Sequence, residues 1–243
     1  MRVFAKSDIG KARNMNQDNY YIPQEDDKIQ LFVLADGMGG YNGGEIASSL
    51  AVQSVIIYVK EHFSSIQLNK ESILAFIKQT IEYANQVVYN KSRTFPELSE
   101  MGTTLEVCII YNNKVFIGHV GDSRVYRIRK QFIRQLTIDH SYVEKLVRDG
   151  TITRQESYTH PKKNMLTKAL GCDESIQPDV MVKGFLKDDI LVMNSDGLTN
   201  LVDQETIYEM ASKNIEQATK DLVQLAKDRG GYDNITVVII KNI

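Results

Sequence analysis

The chain has 243 residues, 42% hydrophobic and 25% charged, which suits one globular domain with a full core. Lysine and arginine total 29 against 31 acidic residues, and a net charge of −2 offers no polycationic field for nucleic acid or an anionic membrane. No run reaches the ~18 apolar residues of a membrane span, the N-terminal MRVFAKSDIGKARN lacks an apolar leader core, and Cys108 and Cys172 are the only cysteines; a reduced, cytoplasmic protein without disulfides is expected.

Residues 3–5, 19–22 and 29–36 read as strands, the last almost continuously apolar, as for a strand covered on both faces. Gly37, Gly39, Gly40, Gly43 and Gly44 follow, a backbone that needs unusual dihedrals or close approach. Ala47, Leu50, Ala51, Ser54, Val55 and Tyr58 recur at helical spacing and predict a helix over 45–63; Ile73, Ile77, Ile81, Ala84 and Val88 predict another over 71–92. Residues 103–111, 114–120 and 124–129 read as strands joined by Asn112-Asn113 and by Gly121-Asp122-Ser123, an antiparallel meander. A helix over 139–150 is expected next, with Asp139 as N-cap and Gly150 as stop, and 151–178 reads as irregular. Strands at 179–185, 190–195 and 235–240, with helices at 204–212 and 215–227, complete the chain without repeats or a proline-rich linker.

Four of the expected strands end near an aspartate followed by glycine, serine or asparagine: Asp36 in LFVLADGMGG, Asp122 in VFIGHVGDSR, Asp196 in DILVMNSDGLTN and, preceding its strand, Asp233 in GGYDNITVVII. Asp-Gly alone makes a tight turn, yet a helix rather than a returning strand follows Asp36 and Asp196. Carboxylates brought together repel by about 4 kcal/mol per pair at ~4 Å and an effective dielectric near 20, so a shared site needs protons or cations. Oxygen donors without a histidine or cysteine partner suit magnesium, manganese or calcium rather than zinc.

Other phosphate chemistries lack their motifs. There is no GxxxxGK[ST], no glycine at 42 to complete a dinucleotide fingerprint, no arginine six residues after either cysteine, and no Asp-x-Asp. His62, His119, His140 and His160 form no ligand pair at helical spacing, and Arg127, Arg129, Lys130 and Arg134 read as a solvated hairpin.

The aspartates belong to a longer ordered series. It runs from Arg13 with Asn16-Gln17-Asp18, through Ala35-Asp36-Gly37-Met38-Gly39-Gly40 and Met101-Gly102-Thr103-Thr104, to Gly118-His119-Val120-Gly121-Asp122-Ser123-Arg124. Asp139-His140-Ser141, Leu166-Thr167-Lys168-Ala169-Leu170-Gly171, Ser195-Asp196-Gly197-Leu198 and Asp233-Asn234-Ile235-Thr236 complete it. In this order the chain resembles the metal-dependent serine/threonine protein phosphatases of the protein phosphatase 2C type, in their compact bacterial form.

The resemblance implies an α+β fold: a four-layer αββα sandwich of two mostly antiparallel sheets flanked by helix pairs, one catalytic domain over 1–243 with a flap subdomain at about 139–171. It implies two to three Mn2+ or Mg2+ ions, with Asp36 bridging two of them, the Gly37 carbonyl binding one, Asp196 and Asp233 completing the pair, and Asp18 acting through a water. Asp122 with Asp196 would hold a third. Arg13 matches the phosphate-gripping arginine, so Arg13, Asp36 and Asp196 form the expected catalytic set. The expected reaction is direct attack by a metal-bridging hydroxide on phosphoserine or phosphothreonine, without a phosphoenzyme.

Phosphoproteins, a serine/threonine kinase and its targets are the expected partners of a monomer that binds neither nucleic acid nor membrane. Two alternatives are a phosphohydrolase of small phosphoesters and a signalling module that has lost its chemistry; intact Arg13, Asp36, Asp196 and Asp233 argue against the second. Met38 stands where many eukaryotic relatives carry histidine, which leaves the general acid open between a metal-bound water and His119.

Overall fold

The computed structural model describes residues 1–39 and 43–243; Gly40 of the glycine-rich motif lies outside the described residues. In chain order the strands are β1 (Arg2–Asp8), β2 (Asp18–Tyr21), β3 (Gln30–Met38), β4 (Gly102–Thr103), β5 (Leu105–Tyr111), β6 (Lys114–Val120), β7 (Arg124–Arg129), β8 (Phe132–Gln135), β9 (Asp179–Gly184), β10 (Ile190–Asn194) and β11 (Ile235–Lys241). The helices are α1 (Gly44–His62), α2 (Lys70–Thr94), α3 (Tyr142–Arg148), α4 (Arg154–Ser157), α5 (Asp196–Thr199), α6 (Gln204–Lys213) and α7 (Ile215–Asp228).

Two sheets form the centre, one ordered β1-β11-β10-β7-β8 and the other β2-β3-β5-β6-β9 with β4 beside β3. The period of two in the strands decides what each face meets. In β3, Leu31, Val33 and Ala35 pack with α1 and α2 residues such as Val55 and Ile77, while Phe32 and Leu34 pack between the sheets. In β11, Ile235, Val237 and Ile239 meet α7 residues such as Leu222, while Val238 and Ile240 face inward. Three apolar cores thus separate four layers, the αββα sandwich implied by the resemblance.

Local signals set most boundaries. Asn112 and Asn113 both take positive φ, 47° and 57°, the type I′ geometry of the tight β5–β6 hairpin. Asn69, Asp203 and Asn214 accept backbone N–H bonds at the starts of α2, α6 and α7.

Three expectations change. The meander is broken at Gly121-Asp122-Ser123, because β7 pairs with β10 and β8 in the other sheet; this segment crosses between sheets instead of turning back. Ser141, not Asp139, caps α3, because Asp139 binds Arg124 instead. Residues 151–178 hold α4, a single turn closed by a Thr153/Glu156 capping box.

Candidate metal centre

The alternation continues past the strand ends and assembles the site. Asp36 shares the parity of Phe32 and Leu34, and Asp18 lies opposite it in the β2–β3 register. Ser195 shares the parity of Leu191 and Met193, and Thr236 that of Val238 and Ile240. All four therefore project between the sheets at one end of the sandwich. The Ser195 and Thr236 hydroxyls each donate to Asp18 Oδ2, both at 2.7 Å.

Two glycines permit the crowding. A Cβ on Gly37 would lie 2.1 Å from the Gly44 carbonyl oxygen, so the end of β3 and the start of α1 meet backbone to backbone beside Asp36. A Cβ on Gly197 would lie 2.0 Å from the Asn234 carbonyl oxygen, which lets the turn carrying Asp196 close on the one carrying Asp233. Both glycines are needed for proximity, not for left-handed dihedrals.

Further polar groups aim the ligands. Thr104 Oγ1 accepts from the Asp36 N–H, and Thr103 Oγ1 donates to the Asp36 carbonyl, each at 2.9 Å. Asn200 donates to Asp196 at 2.9 Å. Asn234 accepts from the Gln17 N–H and donates to the Ile9 and Met15 carbonyls, which folds the loop carrying Arg13 and Asp18 onto the cleft. Several of these belong to the motifs read in the sequence; strand parity was the signal that could have given Ser195 and Thr236 their role.

The cleft holds about 510 Å³ and is bordered by Asp36, Gly37, Asp122, Asp196, Asp233 and Arg13. Burial, then the charges of Asp18, Asp196, Asp122 and Asp233, push the Asp36 carboxyl well above the usual carboxylate range. Burial raises Asp196 to about 6, with Asp233 adding to the effect, and raises Asp18 to about 6 against two hydroxyl donors. Asp122 is raised by burial and then by Asp196 and Asp139. Asp36, Asp122 and Asp196 stay partly open to solvent, which tempers these shifts.

All five predicted carboxylates therefore converge, and Arg13 lies over them with its guanidinium 2.8 Å from Asp233 Oδ2. The hydrogen bond to Asp233 raises the arginine's proton affinity against the cost of burial. His119 does not join them: it is fully buried, and both ring nitrogens are engaged by Glu106 and the Ile138 carbonyl. It has no route to a leaving group in the cleft.

The donor set fits a hard divalent cation. Asp18 Oδ1 is buried without a donor, and the carboxyl of Asp36 is its neighbour. Two acceptors side by side call for a proton or a cation between them. Among the described residues no three histidine, cysteine, aspartate or glutamate side chains already surround a common point as a metal site.

Comparison with known proteins gives the family. The protein phosphatase 2C model matches residues 10–230. The chain belongs to the protein phosphatase 2C family. It is 35% identical to "Serine/threonine phosphatase stp" of Listeria innocua over 243 residues, 99% of this chain and 96% of that protein. The solved serine/threonine phosphatase PstP/Ppp of Mycobacterium tuberculosis superposes with a TM-score of 0.89 at 31% identity, over 100% of this chain and 99% of that one. The catalytic domain of PstP in complex with two manganese ions gives a TM-score of 0.85 at 30% identity, covering 98% and 96%. Membership makes the chain a metal-dependent phosphatase, a hydrolase.

Proposed function

We propose that this member of the protein phosphatase 2C family hydrolyses phosphoserine and phosphothreonine in proteins, using two to three Mn2+ or Mg2+ ions held by the converging carboxylates. Asp36, Asp196 and Asp233, with the Gly37 carbonyl and Asp18 behind them, hold the principal pair; Asp122 with Asp196 holds a third. When bound, such ions supply hydroxide at neutral pH and offset the charge of the transferring phosphoryl group.

The chain's own groups do the rest. Arg13, half exposed at the mouth, carries donors that can fork onto two phosphoryl oxygens once Asp233 turns to a cation. Ser195, Thr236, Thr103 and Thr104 hold Asp18 and Asp36 in place before any cation arrives. Residues 139–171 act as a flap of the one catalytic domain, and Asn164 and Leu166 from it border the cleft. With Met38 in place of histidine and His119 enclosed, no side chain of the cleft described above is placed as the general acid.

The observation that carries this reading is the convergence of four carboxylates from separate segments on the one carboxylate of Asp36. We place the enzyme in the cytoplasm as a monomer opposing a serine/threonine kinase and acting on the kinase and its targets. Among the described residues, no helix is long and apolar enough to cross a membrane, and both cysteines are free, which supports that setting. Manganese-dependent release of phosphate from a phosphothreonine peptide tests the reading. Rapid turnover of small phosphoesters with none of phosphopeptides would favour a metabolite phosphatase instead.

A further inference from the structure

Away from the cleft, among the described residues, one acid–base pair is completely buried. Glu106 on β5 and His119 on β6 face each other in register, one alternation beyond Cys108 and Ile117, whose side chains lie between the sheets. Both side chains are 0% exposed. His119 Nδ1 meets the Glu106 carboxylate, and Nε2 donates to the Ile138 carbonyl at 2.8 Å. A carbonyl only accepts, so Nε2 carries a proton; Nδ1 and the Glu106 carboxyl share a second proton, burial raising Glu106 to about 7 as well. Burial opposes a charged ring, yet Glu106 pushes the His119 pKa up to about 9.

The pair reaches outward to the base of the flap. The His119 ring lies 4.5 Å from that of His140. His140 is bonded twice to Gly121: its N–H donates to the Gly121 carbonyl at 2.7 Å, and its Nδ1 accepts the Gly121 N–H at 3.2 Å. Thr167 N–H donates to the His140 carbonyl at 2.8 Å, which joins the outgoing and returning legs of the 139–171 segment. Between Ile138 and His140 stands Asp139, held by the Arg124 guanidinium at 2.6 Å. Directly after Gly121 comes Asp122.

A buried ion pair is poor value as a source of stability, because apolar residues of like size pack the same space without desolvation. What leucines in both places could not supply is a donor for the Ile138 carbonyl and a ring locked by two hydrogen bonds beneath His140. We propose that Glu106 and His119 are positioning residues of the phosphatase, clamping residues 138–140 and the Gly121-Asp122 corner so that the base of the flap and Asp122 are held in register with the cleft. The catalytic consequence rests on the function proposed above; the clamp itself does not.

The test replaces both partners by leucine (Glu106→Leu with His119→Leu) and measures amide exchange on the metal-free protein together with steady-state kinetics. Exchange at His140 and Thr167 is expected to quicken about tenfold while β11 amides keep their protection. The kcat for a phosphothreonine peptide is expected to fall about tenfold with KM little changed, the size seen when groups supporting a metal site are lost. Wild-type exchange at His140 and Thr167 in a folded double variant overturns the proposal, as does faster exchange with unaltered kcat. If the double variant does not fold, Glu106→Gln decides: about threefold faster exchange confined to the same two amides supports the clamp, and unchanged exchange overturns it. A wild-type protein that cannot hydrolyse the peptide with manganese would sink the proposed function while leaving the exchange result to stand.

Discussion

Asp36 is where the physics is most concentrated, because burial and then four other carboxylates raise its proton affinity. Burial raises Asp18 and Asp196 to about 6 in the folded chain, above the ordinary ~3.9 of aspartate, so between those pH values the folded chain holds more protons than the unfolded one. Metal-free stability from these groups is present below about pH 4 and falls as pH rises through about 6, by on the order of 3 kcal/mol per group at most. Cations require the deprotonated forms, so the rise in Tm on adding Mn2+ should grow from pH 5 to pH 7.5. Melting curves with and without the metal check this; a rise that shrinks with pH contradicts it.

The Asp36→Asn variant should melt higher than wild type without metal, lose the Mn2+-induced rise, and lose activity beyond the ~100-fold typical of outer supporting groups. Equal metal stabilisation in variant and wild type would remove Asp36 from the site. Arg13→Ala should mainly raise KM for the phosphopeptide, by about tenfold for roughly 1.4 kcal/mol of lost binding. Unchanged KM would place the phosphate clamp elsewhere.

Single elements explain why the sequence pattern was readable. The 3.6-residue period of α2 and the hairpin signal at Asn112-Asn113 are local, and both appear where the pattern put them. Short pieces carried too little pattern. β8 has four residues and follows β7 through a turn at Lys130, where φ is +54°, a position no Gly or Asn marked. Gly197 is the most exacting element position, because it lets α5 approach the residues before β11. Gly197→Ala should cost about 3 kcal/mol, a fall in Tm of roughly 6–12 °C, together with activity, since the clash separates Asp196 from Asp233. Thermal unfolding measures it, and a Tm within 2 °C of wild type, roughly the effect of 1 kcal/mol or less, would show that the approach is not tight.

Across the whole molecule, the cleft exists because several strand ends from two sheets stop at one end of the sandwich. Asp122 rides on the crossing from β6 in one sheet to β7 in the other. Its position depends on both sheets at once, and Asp122→Ala should lower turnover while two metals still bind in a calorimetric titration. Loss of all metal binding would contradict a separate third position.

The chain's letters alone determined the longer helices and strands in their order and pointed to Asp36, Asp122, Asp196 and Asp233, because periodicity and short motifs are local properties, while Asp18 and Arg13 came through the family resemblance. Only the tertiary structure decided that β7 leaves the β5–β6 sheet, that Asp139 binds Arg124 rather than capping α3, and that His119 turns inward to Glu106 rather than toward the cleft. Those outcomes depend on which strands pair and on which face becomes interior, and both are settled by burying apolar surface between segments far apart in the chain.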